Sequence, residues 1–356
     1  MKMITLRRKA LLCVGLIAAA ATVGCQSIGP IGLIGPSTNT APAWALRPLQ
    51  LPPVDPNASY TVQEFAWKDS TRNREIPAVL YLPKSVSVEA ASKVPLVVFS
   101  HGLGGSRYSY SHLGKFWASN GIATIALQHA GSDRAIWTSQ GFAVLGTLKS
   151  AANLENAIAR AVDVTFAIDA LGADELVKDK IDFGKVAVAG HSFGANTALL
   201  SAGAQFYQEK KLTSYGDKRI KAAVVLSAPA LPASENAMEV YGKIRIPTLH
   251  LTGTHDHTPI PGAVTTADMR RQPYDAIQGA SKYLGVYDGG RHNMFNDRAR
   301  DATSEAIKES ARVTSLQFFR SVFDSPDIQA KYQEVLRNGA RARLDKEKLF
   351  NWESTN

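Results

Sequence analysis

Five residues, Gly190-His191-Ser192-Phe193-Gly194, constrain this chain more than any others. They follow the apolar stretch Lys185–Ala189, which reads as a short buried strand, and they precede a segment of helical patterning from about residue 193. A turn that converts strand into helix this abruptly holds its middle residue in a strained conformation and lifts that side chain clear of the sheet edge. The residues two before and two after it must be glycine or nearly as small, because a Cβ there would strike the neighbouring strand or helix. Both are glycine. The bland alternative, a glycine-rich turn that holds a serine by chance, accounts for the spacing but not for the flanking strand and helix.

The remaining pattern alternates strands with helices. Residues 60–67 and 75–82 read as an antiparallel pair across the polar turn Lys68–Asn73. Buried strands follow at 94–100, 122–128, 185–189, 221–227, 246–252 and 282–287, with helices at 109–119, 154–171, from about 193, and near 303–322. This order predicts an α/β fold: a mostly parallel sheet with an antiparallel N-terminal strand pair and helices on both faces. Only 18 residues separate the strands at 221–227 and 246–252.

A serine hydroxyl is a poor nucleophile at neutral pH and needs a histidine to accept its proton and a carboxylate to orient that histidine. In such a fold both come later in the chain, carboxylate first. Of the histidines after Ser192, His250 lies inside an apolar strand, where a packed core histidine is expected, while His292 follows the last strand in a glycine-rich loop, DGGRHNMF. Asp256 lies in the turn after strand 246–252. Its rivals are less well placed, Asp268 and Asp275 in the following loop or helix and Asp288 only four residues from His292. The candidate catalytic set is therefore Ser192, Asp256 and His292. Donors for the oxyanion are expected from the loop after the first parallel strand, SHGLGG at 100–105, and from the residue after the serine, which points to the backbone N–H groups of Leu103 and Phe193. His101 and His191 read as residues that fix loops or pack, not as bases. His255-Asp-His257 has the form of a metal-binding pair, but no third ligand cluster accompanies it and the serine machinery accounts for Asp256, so no metal is expected.

Residues 1–9 carry four positive charges and no acid, and residues 10–23 form an apolar run too short to span a bilayer, the layout of an export signal. Thr22-Val-Gly-Cys25 resembles a bacterial lipobox, so a lipidated Cys25 anchoring the chain at a membrane is one expectation. Cleavage within Ala18–Ala21 and release is another, and a twin-arginine signal at Arg7-Arg8 a weaker third. All three export the chain, to the periplasm, to the outer membrane as a lipoprotein, or as a secreted protein. Residues 26–57 hold seven of the 17 prolines and read as a tether. The net charge of +9 does not point to nucleic acid: without the four bases of the first nine residues, 36 Lys and Arg face 31 Asp and Glu. Cys13 and Cys25 are the only cysteines, so no disulfide holds the folded body together.

GHSFG, the SHGLGGSR loop, Leu127–Asp133 (LQHAGSD), Ala159–Phe166 (ARAVDVTF) and GGRHNMF together resemble the α/β-hydrolase superfamily, and within it the platelet-activating-factor acetylhydrolase-like and "predicted dienelactone hydrolase" group. The likeness covers about residues 60–322. It implies a cofactor-free serine ester hydrolase working through an acyl-enzyme, with Ser192, Asp256 and His292 in the triad; dienelactone hydrolases proper carry cysteine where this chain has Ser192. Where many lipases and epoxide hydrolases insert a helical cap, this chain has only the 18 residues between the strands at 221–227 and 246–252, so the resemblance implies no large cap domain and a fairly open cleft. The expected division is signal 1–25, tether 26–57, catalytic domain 58–324 and a charged helical tail 325–356. Trp137 and Phe142 are candidates to line the substrate cleft. Three functions follow: a carboxylesterase for small or short-acyl esters, a phospholipase that releases short or oxidised acyl chains, and a non-catalytic envelope binding module on a hydrolase scaffold. The oligomeric state is not legible.

Overall fold

The computed structural model describes residues 57–84, 93–138, 143–209, 211–258, 265–338 and 349–355. The expected signal with Cys25, the tether up to residue 56, and Phe142 lie outside the described residues. No helix among the described residues is long and apolar enough to cross a membrane.

The chain enters as an antiparallel pair, β1 (Tyr60–Asp69) and β2 (Arg74–Pro83), then runs through β3 (Val94–Ser100), α1 (Ser111–Ser119) and β4 (Ala123–Leu127). Helices α2 (Ala143–Ala151) and α3 (Leu154–Ala173) lead to β5 (Ile181–His191) and α4 (Phe193–Ser201). A small hairpin, β6 (Gln205–Gln208) and β7 (Lys211–Ser214), precedes β8 (Ile220–Leu226). Then come α5 (Ala237–Tyr241), β9 (Thr248–His255), α6 (Gln272–Ala276), β10 (Lys282–Arg291), α7 (Ala302–Phe323), α8 (Pro326–Arg337) and β11 (Leu349–Thr355).

Nine strands form one sheet in the order β1-β2-β4-β3-β5-β8-β9-β10-β11. The strands from β4 to β10 are mutually parallel, and β1, β2 and β11 are antiparallel to their neighbours. The parallel strands β3, β4 and β8 are apolar at nearly every position because both faces are covered. Val97 and Phe99 of β3 join Leu113 and Trp117 of α1 and Phe318 and Phe319 of α7 in one cluster, whereas Leu96 and Val98 pack with Val164, Ile168 and Leu171 of α3 on the other face. From β3 the chain steps outward to β4 and then crosses back to β5 on β3's other side. That reversal opens a crevice above the carboxyl ends of β3 and β5, where ligands of such sheets bind. Between β8 and β9 the five-residue α5 is the one helix, and no large cap over the crevice is present among the described residues.

The expected helical tail is corrected at its end. Pro326–Arg337 is helical, but Leu349–Thr355 adds to the sheet beside β10. The Trp352 ring stacks on Tyr283 with centroids 6.2 Å apart, its Nε1–H donates to the Leu336 carbonyl at 2.8 Å, and Gly285 of β10 leaves room for it. Such a strand is stabilised by a partner far away in sequence, and the local pattern of charges conceals it.

Trp117 is fully buried between the sheet and α7, packs edge-on against Phe319 at 5.2 Å, and donates its Nε1–H to Ser315 Oγ at 2.9 Å. Trp117→Ala is expected to cost roughly 3–5 kcal/mol through the cavity it leaves. Urea unfolding followed by circular dichroism measures this, and a loss below about 1 kcal/mol would contradict the packing described.

Candidate active site

The turn from β5 into α4 has the geometry that its glycines require. Ser192 sits at φ 55° and ψ −120°, a conformation that costs an L residue energy and persists only where the surroundings enforce it. A Cβ on Gly190 would lie 2.1 Å from the Gly194 carbonyl oxygen, and one on Gly194 would lie 2.0 Å from the Ser100 carbonyl oxygen at the end of β3. Ser192 N–H donates to the Leu226 carbonyl at 2.9 Å, which ties the turn to β8.

Ser192, Asp256 and His292 come together although 36 to 100 residues separate them in sequence. Ser192 Oγ is 2.9 Å from His292 Nε2, and His292 Nδ1–H donates to Asp256 Oδ1 at 2.7 Å. Asp256 is fully buried, and its Oδ2 accepts from Thr252 Oγ1–H at 2.8 Å. Burial alone would raise its carboxyl, but the hydrogen bond from His292 and the charges of His292 and Arg270 outweigh that and hold it at about 2. The rival carboxylates Asp268, Asp275 and Asp288 are exposed, and Asp275 pairs with Arg271 at 2.8 Å. A hydroxyl placed on an imidazole whose far nitrogen is held by a buried carboxylate can be deprotonated as it attacks.

The loop that carries His292 is pinned at three points. His191 is buried in the turn, and its Nε2–H donates to the His292 carbonyl at 2.7 Å while its Nδ1 accepts from Tyr110 O–H at 2.7 Å. Burial first, and then the neighbouring His292, push His191 down to about 3, so the ring stays neutral in this role. Asp297 accepts from the N–H and Oγ–H of Ser111 at 2.8 and 2.7 Å, capping the amino end of α1, and His112 Nε2–H donates to the Phe295 carbonyl at 2.9 Å.

On the other side of Ser192 lies the loop after β3. His101 Nε2 accepts from the His129 N–H at 3.2 Å, so its Nδ1 carries the hydrogen and donates to the Gly102 carbonyl at 2.7 Å. The Gly105 N–H donates to the same carbonyl at 3.0 Å. A trans peptide is planar, so fixing the Gly102 carbonyl aims the Leu103 N–H the opposite way. Phe193 is the first residue of α4, where a backbone N–H has no partner inside the helix. Gly102, Leu103, Ser192 and His292 line one cavity of about 200 Å³, together with Tyr110, Trp137, Leu148 and Arg298. Trp137 is thus on the cavity wall, and its Nε1–H donates to the Gly104 carbonyl at 2.8 Å. His255 and His257 are exposed on either side of buried Asp256, and among the described residues no group of three or more His, Cys, Asp or Glu is arranged to hold a metal ion.

The sequence reading missed the charges beneath the site. Arg270 is buried with its Nε 3.1 Å from Asp256 Oδ1 and donates to the Asp256, Ser227 and Ala228 carbonyls, which ties the ends of β8 and β9 together. Behind the loop after β3 lies a buried chain in which His129 Nδ1–H donates to Asp163 Oδ2 at 2.8 Å and Ser100 Oγ–H to His129 Nε2 at 3.0 Å. Arg74 and Arg72 close on Asp163 at 2.8 and 2.9 Å, and Arg160 donates to the His101 carbonyl at 2.7 Å. The signal was present: Arg160 and Asp163 stand on the same stripe of α3 as buried Ala157, Ala161, Val164 and Ala167.

Four histidines, His101, His129, His191 and His250, are buried and kept neutral, each chiefly by burial; His129 is lowered to about 4, His250 to about 3 and His101 well below its usual value. In the unfolded chain they protonate near pH 6.5, so the unfolded state binds more protons below that pH. Folding stability is then fully present above pH 6.5 and falls as the pH drops toward 4, by up to about 1.4 kcal/mol per pH unit for each histidine. Urea unfolding at a series of pH values measures this, and a stability that stays flat from pH 7 to 5 would refute it.

The chain matches the family model described as platelet-activating factor acetylhydrolase, isoform II, over residues 82–144 and 138–299, together more than half of its length. The platelet-activating factor acetylhydrolase of Bos taurus is 27% identical over 204 residues, covering 48% of this chain and 43% of the bovine protein. That of Canis lupus familiaris is 28% identical over 204 residues, with the same shares. The chain therefore spans under half the length of these curated relatives. The parallel sheet with its N-terminal antiparallel pair is that of an α/β-hydrolase, and by its sequence this chain belongs to the platelet-activating factor acetylhydrolase, isoform II, family.

Proposed function

We propose that the protein is a serine carboxylic-ester hydrolase that acts through an acyl-enzyme on short-acyl esters. The observation that carries this reading is the continuous hydrogen-bonded line from Ser192 Oγ through His292 to buried Asp256, at 2.9 and 2.7 Å. In the proposed reaction Ser192 Oγ bonds to the ester carbonyl carbon while its proton passes to His292 Nε2. The carbonyl oxygen takes up the negative charge and is met by the Leu103 and Phe193 N–H groups. The bond to the alcohol then breaks, and the leaving oxygen takes the proton from His292. Water attacks the acyl-enzyme by the same route and frees the acid. No cofactor enters.

Two observations favour short acyl groups. The cavity of about 200 Å³ is smaller than those that enclose drug-sized ligands. The relatives are named as acetylhydrolases of platelet-activating factor, which specifies a two-carbon acyl group for those proteins. The family also favours a second reading, in which the natural ester is a phospholipid with a short acyl chain. That reading differs from a simple esterase in its leaving group and not in its chemistry.

Ser192→Ala is expected to lower turnover of p-nitrophenyl acetate by roughly 10⁴-fold or more and to abolish labelling by a fluorophosphonate. A variant with wild-type turnover would overturn the assignment. Rates across p-nitrophenyl esters should fall from acetate toward palmitate. Phosphatidylcholines with a short acyl chain, set against simple esters of the same acid, separate the two readings by their ratio of kcat/KM.

A further inference from the structure

Arg160 is the most anomalous charge among the described residues. It lies on α3, is fully buried, and has no carboxylate to itself, because the neighbouring Asp163 is engaged by His129, Arg72 and Arg74. Its Nη2–H donates to the His101 carbonyl at 2.7 Å, while its Nε and Nη1 find no hydrogen-bond acceptor among the described residues. The guanidinium carbon lies 4.6 Å from the centroid of the Phe193 ring, close enough for a cation to interact with the ring face. Burying a cation with two idle nitrogens is costly, and a packed apolar side chain would serve stability better. Arg72, Arg74 and Arg160 are matched in number by Asp69, Asp163 and Asp133 while His101 and His129 are neutral, but Asp69 and Asp163 are held by the other two arginines and none of the three carboxylates pairs with Arg160. Asp133, the other buried acid nearby, accepts from Gln128 Nε2–H at 2.7 Å.

Both contacts of Arg160 lead to the same place. Through the His101 carbonyl it holds the strand end whose next peptide aims the Leu103 N–H, and through the aromatic ring it holds the residue that contributes the second N–H. We infer that Arg160 is a positioning residue that keeps the two halves of the oxyanion pocket in register and lends it a fixed positive charge from behind. This inference rests on the serine-hydrolase reading above. A preorganised charge in a dry site stabilises an oxyanion and does little for a neutral ester, so its effect belongs to the transition state.

The test uses the full chain with p-nitrophenyl acetate and two inhibitors: an alkyl trifluoromethyl ketone, whose adduct with Ser192 places an oxyanion in the pocket, and the matching methyl ketone. Arg160→Met is expected to lower kcat by roughly 100-fold with KM within about threefold. It should weaken the trifluoromethyl ketone by a similar factor and leave the methyl ketone unaffected, and Arg160→Lys should recover part of the loss. Phe193→Leu keeps the backbone N–H and removes the ring, so it should lower kcat in the same direction, and it decides the matter if Arg160→Met does not fold. Folded Arg160→Met with kcat within threefold of wild type, equal weakening of both ketones, or a Phe193→Leu variant as fast as wild type would each overturn the inference. Ser192-dependent turnover in the wild type together with any of these outcomes defeats this inference alone. Turnover indifferent to Ser192→Ala defeats the hydrolase reading, and this inference falls with it.

Discussion

The close approach of α4 to the end of β3 is the constraint on which the site depends. Gly194 meets the Ser100 carbonyl at a separation that no side chain tolerates, and Gly190 meets the first turn of the helix in the same way. Only with both glycines can the chain reverse within five residues, and only that reversal forces Ser192 to a positive φ and holds its hydroxyl above the sheet. The same contact sets the loop after β3 beside Ser192, because β3 and β5 are neighbours at the point where the strand order reverses.

Around this turn the polar groups are held by backbone as much as by one another. His191 grips the carbonyl of His292, His101 grips that of Gly102, and Arg270 gathers the carbonyls of Asp256, Ser227 and Ala228. These contacts are buried, where a hydrogen bond is electrostatically stronger and an unmet group is more costly than in water. Neutral imidazoles suit such work, since each offers one donor and one acceptor in fixed directions without a charge to desolvate. The most deeply buried charges among the described residues, Asp256, Arg270, Asp163 and Arg160, lie beneath the crevice and not in the apolar layers on either side of the sheet.

Much of this is legible in the sequence. The apolar runs of the parallel strands, the alternation with helices, and the glycines about Ser192 each carry a local physical signature, and so does the order in which Asp256 and His292 end their strands. The tail departs from its local helical pattern because Trp352 finds its place only against Tyr283 and Gly285, 69 and 67 residues earlier in the chain. The hairpin of β6 and β7 leaves no clear signature in the sequence because four-residue strands carry too little alternation to stand out.

What the amino-acid sequence determined by itself is the kind of fold and the identity of the three residues whose chemistry can be read from turns and strand ends, since those signals depend on neighbours along the chain. Only the tertiary structure decided which charges lie beneath them. Arg160, Asp163 and Arg270 look like ordinary helical or loop charges until the sheet and helices close over them. Burial then turns a residue of little consequence on a surface into a strong local field, because the interior screens charge far less than water does.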